Sequence, residues 1–206
     1  MAKKIAIIDY GLGNHFSVQK KLSRMGYDVV TTSDTLAIQQ ADKIILPGVG
    51  HFGKAMENLN ELGVIQVLNE EVLEKKKPIL GICLGMQLMA SFSEEGDTKG
   101  LGWINATVEK LKVNDCLKYK IPHTGWNQIE VAKSSDLLNN IEDRSEFYFV
   151  HSYHFNCNEK EDVLCYTEYE ARFVSAVERG NIYGTQFHPE KSHDTGVQLL
   201  KNFVEL

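Results

Sequence analysis

The run Pro78-Ile-Leu-Gly-Ile-Cys-Leu-Gly-Met-Gln-Leu-Met-Ala90 restricts the fold more than any other stretch of the chain. It passes from apolar, strand-like residues directly into an apolar, helix-like segment. Cys83 stands at the junction, with Gly81 two residues before it and Gly85 two residues after. That is the layout of a nucleophile elbow, G-x-S-x-G, with sulfur in place of oxygen. A sharp strand-to-helix turn needs space on both sides, which glycines provide. At such a turn the side chain is lifted out of the sheet toward a helix N-terminus, where dipole and free N–H groups favour a thiolate. A buried core cysteine fits the same residues, since free Cys is among the most buried side chains. Both readings stay open at this point.

Hydrophobic patterning gives the setting. Residues 3–8 form a short apolar run, read as a first strand rather than a signal peptide. Asp9-Tyr-Gly-Leu-Gly-Asn14 reads as a turn. Phe16, Val18, Leu22 and Met25 then recur at helical spacing up to Gly26, a C-cap residue. Tyr27–Thr32 and Asp42–Leu46 read as strands, the latter stopped by Pro47-Gly48, and Val64–Leu73 as a helix leading to the Pro78–Ile82 strand. Wholly apolar strands alternating with helices predict a parallel sheet covered on both faces. From about 101 to 187 the pattern turns to strands: Trp103–Val113, Glu146–Phe155, and a hairpin of Phe173–Glu178 and Asn181–Phe187 around Arg179-Gly180. Thr195–Val204 closes the chain as a helix. The expected architecture is α/β: a single three-layer domain over residues 1–206, its central mostly parallel or mixed sheet flanked by helices. Extra antiparallel strands are expected in the second half.

Composition excludes several functions. The 206 residues are 43% hydrophobic and 24% charged, with no apolar run long enough to span a membrane. A net charge of −6 without a basic stripe disfavours nucleic acid and anionic membranes as partners. Cys83, Cys116, Cys157 and Cys165 are widely spaced, with no C-x-x-C. This points to reduced thiols, a cytoplasmic setting and no structural zinc or other metal.

Other motifs bear on chemistry. Gly11-Leu-Gly13 lacks the third glycine of a dinucleotide fingerprint, because position 16 is Phe, so a tight turn or a partner-facing loop is the better reading. Pro47-Gly-Val-Gly50 leaves the third strand at the same edge as Cys83. Its Gly48, Val49 and Gly50 backbone would supply one oxyanion donor, with Leu84 N–H as the second, if it is more than a plain turn. A thiol nucleophile also needs a base. Of seven histidines, His188 stands out, ending an apolar strand in Gln-Phe-His-Pro-Glu190. In extended backbone His188 and Glu190 face one side, so the carboxylate can hold the imidazole as in a triad. Activity is then expected to fall on the acid side as His188 gains a proton.

Taken together these motifs resemble the class I (triad) glutamine amidotransferases, whose fold is flavodoxin-like. Gly81-Ile-Cys-Leu-Gly-Met-Gln87 is similar to the elbow of that family, and Gln186-Phe-His-Pro-Glu190 to its His/Glu end. Six stretches in order over the whole chain narrow the resemblance: 9–14, 47–53, 99–102, 122–127, 149–153 and 188–192. They resemble the family of glutaminase subunits of imidazole glycerol phosphate synthase. The resemblance implies hydrolysis of L-glutamine by Cys83, His188 and Glu190, an oxyanion site at Gly48–Gly50 and Leu84, and no cofactor. It implies substrate contacts at Gln87, Ser152 and Tyr153. It also implies that ammonia passes to a (β/α)8-barrel cyclase/synthase subunit, docked near Asn14, Tyr153 and Lys191, for histidine biosynthesis. Thr124 departs from the apolar residue expected within Pro122–Asn127. That departure bears on the acceptor, since paralogous subunits supply ammonia for amino- or amidino-sugars.

Overall fold

A strand apolar at every residue has no solvent face and must be covered on both sides. The computed structural model, which describes residues 3–206, meets that demand. Its first half alternates β1 (Lys4–Ile8), α1 (His15–Arg24), β2 (Asp28–Thr32), α2 (Thr35–Gln40), β3 (Lys43–Gly48), α3 (Phe52–Glu61), α4 (Val64–Asn69), β4 (Ile79–Cys83) and α5 (Leu84–Gln87). Short strands follow, β5 (Phe92–Ser93) and β6 (Thr98–Lys99), then β7 (Ala106–Lys110), β8 (His123–Gln128), β9 (Glu130–Val131) and β10 (Glu146–His151). The chain continues through β11 (Tyr153–Cys157), β12 (Val163–Tyr169), β13 (Ala171–Arg179) and β14 (Ile182–Thr185) to α6 (His193–Glu205). Met1 and Ala2 lie outside the described residues.

The main sheet runs β2-β1-β3-β4-β14-β13-β11-β7-β5-β6. From β2 to β14 it is parallel, and from β14 to β7 it is antiparallel. Period-two alternation sorts the strand side chains into two cores. Ile8, Ile44, Leu46 and Ile79 pack with Phe52, Leu59 and Leu68 from α3 and α4 on one face. Ile5, Ile7, Ile45, Leu80 and Ile82 pack with Val18 and Leu22 of α1 and Leu199, Leu200 and Phe203 of α6 on the other. The result is a single α/β domain with a central mixed sheet flanked by helices.

Two topological facts create the site. β14, last of the strands, returns to lie parallel beside β4, with Gly184 opposite Gly81 and Thr185 opposite Ile82. Residues following β14 therefore leave at the carboxyl edge where Cys83 ends β4, the ligand side of such sheets. In addition, the β-prone run 146–155 is not one strand. β10 pairs with β8 in a separate two-stranded sheet, whereas β11 joins the main sheet beside β7. The break at Ser152 places the 150–153 backbone at the mouth of the elbow.

Several local expectations are corrected. β3 does not stop before Pro47-Gly48, because Pro47 pairs with Ile82 and Gly48 with Cys83. The hydrophobic pattern does not predict α2 and α3. Asp34 Oδ1 accepts from Ala37 N at 2.8 Å and caps α2, a signal present in the sequence. α3 is capped from a distance: Phe52 N donates to Glu95 Oε2 at 2.8 Å, a contact invisible along the chain. The helix after Cys83 is only four residues long. One turn aligns few peptide dipoles, so α5 contributes little of the thiolate stabilisation first expected there.

Candidate active site

Cys83 has φ +54° and ψ −110°, a conformation that costs on the order of 1–3 kcal/mol unless its surroundings impose it. The flanking glycines show what imposes it. A Cβ at Gly85 would overlap the Leu46 carbonyl oxygen, and one at Gly81 would lie 2.7 Å from Gly85 O and Met86 N. Only bare backbone lets β4 turn into α5 while staying against β3. The Cys83 Sγ lies 3.8 Å from Val150 O and 3.6 Å from Gln186 Nε2.

His188 and Glu190 are both buried, and His188 Nδ1 meets Glu190 Oε1 at 2.8 Å. The pairing expected from sequence therefore exists. Its geometry differs, because Pro189–Lys191 form a 3-10 turn rather than extended chain. The backbone of His188 is pinned to β10: its N–H donates to Tyr148 O at 2.9 Å, and Ser192 Oγ donates to His188 O at 2.6 Å. With Nδ1–H given to a carboxylate, the buried Nε2, which has no hydrogen-bond partner among the described residues, is left for the thiol. Burial pulls the imidazole pKa down, but Cys83 and Glu190 outweigh it and lift the value to about 9. The raised value favours a protonated imidazole facing the sulfur.

The pair opens on a cavity of about 340 Å³, at the small end of ligand pockets. Val49, Gly50 and Leu84 line it beside Cys83, while Gln87, Ser152 and Tyr153 line it further out. Beneath the Pro47–Gly50 loop, the buried Tyr10 hydroxyl donates to Pro47 O at 2.8 Å. Burial first, and then Cys83, hold that hydroxyl far above its usual pKa, hence neutral. A Cβ at Gly48 would overlap the Tyr10 oxygen, so position 48 admits only glycine in this arrangement. Gln87 is buried. Its Nε2 donates to Tyr153 O at 3.0 Å and to Gln186 Oε1 at 2.9 Å.

Sequence reasoning missed several residues around the site. Glu95 brings a carboxylate to the cavity wall. His123 and His151 form a buried relay. Asn127 Nδ2 donates to His123 Nε2 at 3.3 Å, leaving His123 Nδ1–H for His151 Nε2 at 3.0 Å and His151 Nδ1–H for Tyr153 O at 2.8 Å. Burial depresses both rings, to about 4 and about 3, so they stay neutral and fix the Tyr153 carbonyl. The motif Pro122–Asn127 carried this signal without a visible partner, because His123 and His151 meet only through the β8–β10 register.

The residues expected at a partner surface are spread over this edge. Asn14 starts α1 without capping it through its side chain. Lys191 is exposed, its Nζ 5.6 Å from the centre of the Tyr148 ring, with Trp126 stacked on His193 nearby. Tyr153, half-buried, belongs to the cavity wall and packs on the core. Among the described residues, no group of three His, Cys, Asp or Glu side chains is placed to hold a metal ion, and no helix is long and apolar enough to cross a membrane.

Comparisons with known proteins agree with this geometry. The chain is 51% identical over 201 residues to imidazole glycerol phosphate synthase subunit HisH 2 of Methanococcus maripaludis, covering 98% of each chain. It is 45% identical over 202 residues to the HisH 2 subunit of Pseudomonas aeruginosa, covering 98% of this chain and 99% of that one. It is 47% identical over 205 residues to the HisH subunit of Moorella thermoacetica, covering 99% and 95%. Among solved structures, PurLQS from Thermotoga maritima superposes with a TM-score of 0.76 at 17% identity, covering 100% of this chain and 99% of that chain, a likeness of fold. The family profile for class-I glutamine amidotransferases matches residues 6–206. With an elbow cysteine, a buried His–Glu pair behind it and a full-length family match, the chain belongs to the class-I glutamine amidotransferases.

Proposed function

We propose that this chain is the glutaminase subunit of an imidazole glycerol phosphate synthase, hydrolysing L-glutamine to L-glutamate and ammonia. The observation that carries the chemistry is the His188–Glu190 contact of 2.8 Å beside a strained Cys83 on the wall of the 340 Å³ cavity. Cys83 Sγ attacks the side-chain amide carbon, and the amide oxygen becomes an oxyanion facing Leu84 N–H and the Gly48–Gly50 backbone. His188 Nε2–H passes its proton to the amine as the C–N bond breaks, releasing ammonia and leaving a glutamyl thioester. Water then attacks the thioester, His188 takes its proton, and glutamate leaves. Glu190 holds the imidazole throughout. The Gln87 carbonyl oxygen, Ser152 and Tyr153 position the substrate, and the Glu95 carboxylate suits its α-ammonium.

Ammonia is then handed to a (β/α)8-barrel cyclase/synthase subunit that makes imidazole glycerol phosphate and AICAR in histidine biosynthesis. Docking involves Asn14, Tyr153 and Lys191, in the cytoplasm. The relatives named above as HisH subunits support this reading. Val49, exposed in the Pro47–Gly50 loop, is open to a partner that would complete the oxyanion site. The test is glutamine hydrolysis by the chain with and without the barrel subunit. High turnover by the chain alone removes partner control, and failure to hydrolyse glutamine in the complex removes the assignment.

A second reading is ammonia supply for amino- or amidino-sugar biosynthesis. It is favoured by Thr124, exposed on β8 two residues from Trp126, and by relatives numbered as first or second copies. Which acceptor is aminated by the reconstituted pair decides between the two.

A further inference from the structure

We propose that Gln186 is a further catalytic residue, whose side-chain N–H donates to the Cys83 sulfur and holds it as the thiolate. The proposal rests on the reading of Cys83 as nucleophile. Two observations carry it. Gln186 is fully buried, and its Nε2 lies 3.6 Å from Cys83 Sγ. Its orientation is also dictated from outside. The Tyr153 carbonyl can only accept, so the Gln87 amide must turn its nitrogen there, at 3.0 Å. The same Gln87 nitrogen lies 2.9 Å from Gln186, which must present its oxygen. The NH₂ of Gln186 is thereby forced onto the sulfur. A backbone carbonyl two residues removed thus sets a donor on the nucleophile, and the His123–His151 relay fixes that carbonyl from its other side.

A donor on sulfur stabilises S⁻ and not S–H. The other atom near Sγ, Val150 O at 3.8 Å, does the opposite, because it can only accept from the thiol. The one-turn helix α5 contributes little dipole. The titratable groups facing the sulfur are His188, backed by Glu190, and Tyr10 from below, with Glu95 across the cavity. Tyr10 Oη is turned to Pro47 O, so among the described residues Gln186 is the side-chain amide that donates to the sulfur.

The test is alkylation of the full chain by iodoacetamide from pH 5 to 10, with the site of labelling mapped and Cys83→Ala as control. Gln186→Met keeps the shape and removes the donor. Its midpoint is expected to move up by about one pH unit. Because a more basic thiolate is also more nucleophilic, the two pH–rate curves should cross. The variant would be roughly threefold slower below the midpoint and roughly threefold faster on the alkaline plateau. General damage to the site lowers both limbs and does not make them cross. Gln87→Leu leaves residue 186 in place but frees its amide, and should move the midpoint in the same direction. A folded Gln186→Met chain with the original curve overturns the proposal. So does an unmoved midpoint in Gln87→Leu, should Gln186→Met fail to fold. If Cys83→Ala labels as fast as the unaltered chain, the nucleophile reading itself fails and takes this proposal with it.

Discussion

Replacing Glu190 by Gln is the most informative single perturbation of this site. The carboxylate accepts from His188 Nδ1 at 2.8 Å, and both side chains are 1% exposed, so solvent does not screen the pair. The imidazole stands at about 9 against an ordinary 6.5. At about 1.4 kcal/mol per pH unit, its surroundings favour the imidazolium by roughly 3 kcal/mol, net of burial. Cys83 and Glu190 share that effect. Glu190 supplies part of that effect, so its loss should make the imidazolium roughly tenfold scarcer or more. A glutamine amide can also turn its NH₂ to Nδ1, which moves the ring proton to Nε2 and disables it as a base. Together these effects predict a fall in kcat/KM for glutamine of roughly 30–300-fold, measured as glutamate release in the presence of the proposed partner subunit. The alkaline limb of the profile should also move below 9. A Glu190→Gln enzyme within threefold of the unaltered one, or one whose alkaline limb stays near 9, refutes the reasoning. Stability provides a second readout. Because the folded His188 pKa is raised, its contribution is fully present below about pH 6.5 and is lost as pH rises through about 9. Urea midpoints of the two proteins should therefore approach one another across that window.

Other outcomes follow from the same structure. Cys83→Ala should abolish glutaminase activity while the complex still uses free ammonia; residual glutamine hydrolysis would remove Cys83 as nucleophile. Gly85→Ala should destabilise by about 3 kcal/mol or more in chemical denaturation, since its Cβ would overlap the Leu46 carbonyl oxygen. Gly26→Ala, with open space but φ +86°, should cost only about 1 kcal/mol. His151 is buried with its pKa lowered to about 3, so its stability contribution is complete above about pH 6.5 and lost progressively as pH falls toward 3. His151→Gln should flatten that acid loss, and an unchanged acid profile would count against a neutral buried relay.

Much of the site was legible along the chain because its parts are local. The glycines around Cys83, the His-Pro-Glu sequence and the Pro47–Gly50 loop each announce their chemistry within a few residues. The glycines in particular are required by backbone overlaps that any fold of this elbow would meet. What failed was reach and length. α5 ended after one turn although apolar residues continue, because Leu88, Met89 and Ala90 are drawn into hydrogen bonds with the 101–104 backbone. α3 takes its cap from Glu95, 43 positions away. The run 146–155 splits at Ser152 because its halves find partners in different sheets.

From the sequence alone came the chemical type: a thiol at a strained turn, a carboxylate-backed imidazole, and an alternation of apolar strands and helices. Only tertiary structure decided that these parts meet. β14 inserts beside β4, which brings His188 to Cys83 across 105 positions of chain. Only tertiary structure could give Gln186 its role, because the direction of an amide is set by what surrounds it. Here a fixed carbonyl acts through Gln87, and residue spacing carries no record of that direction.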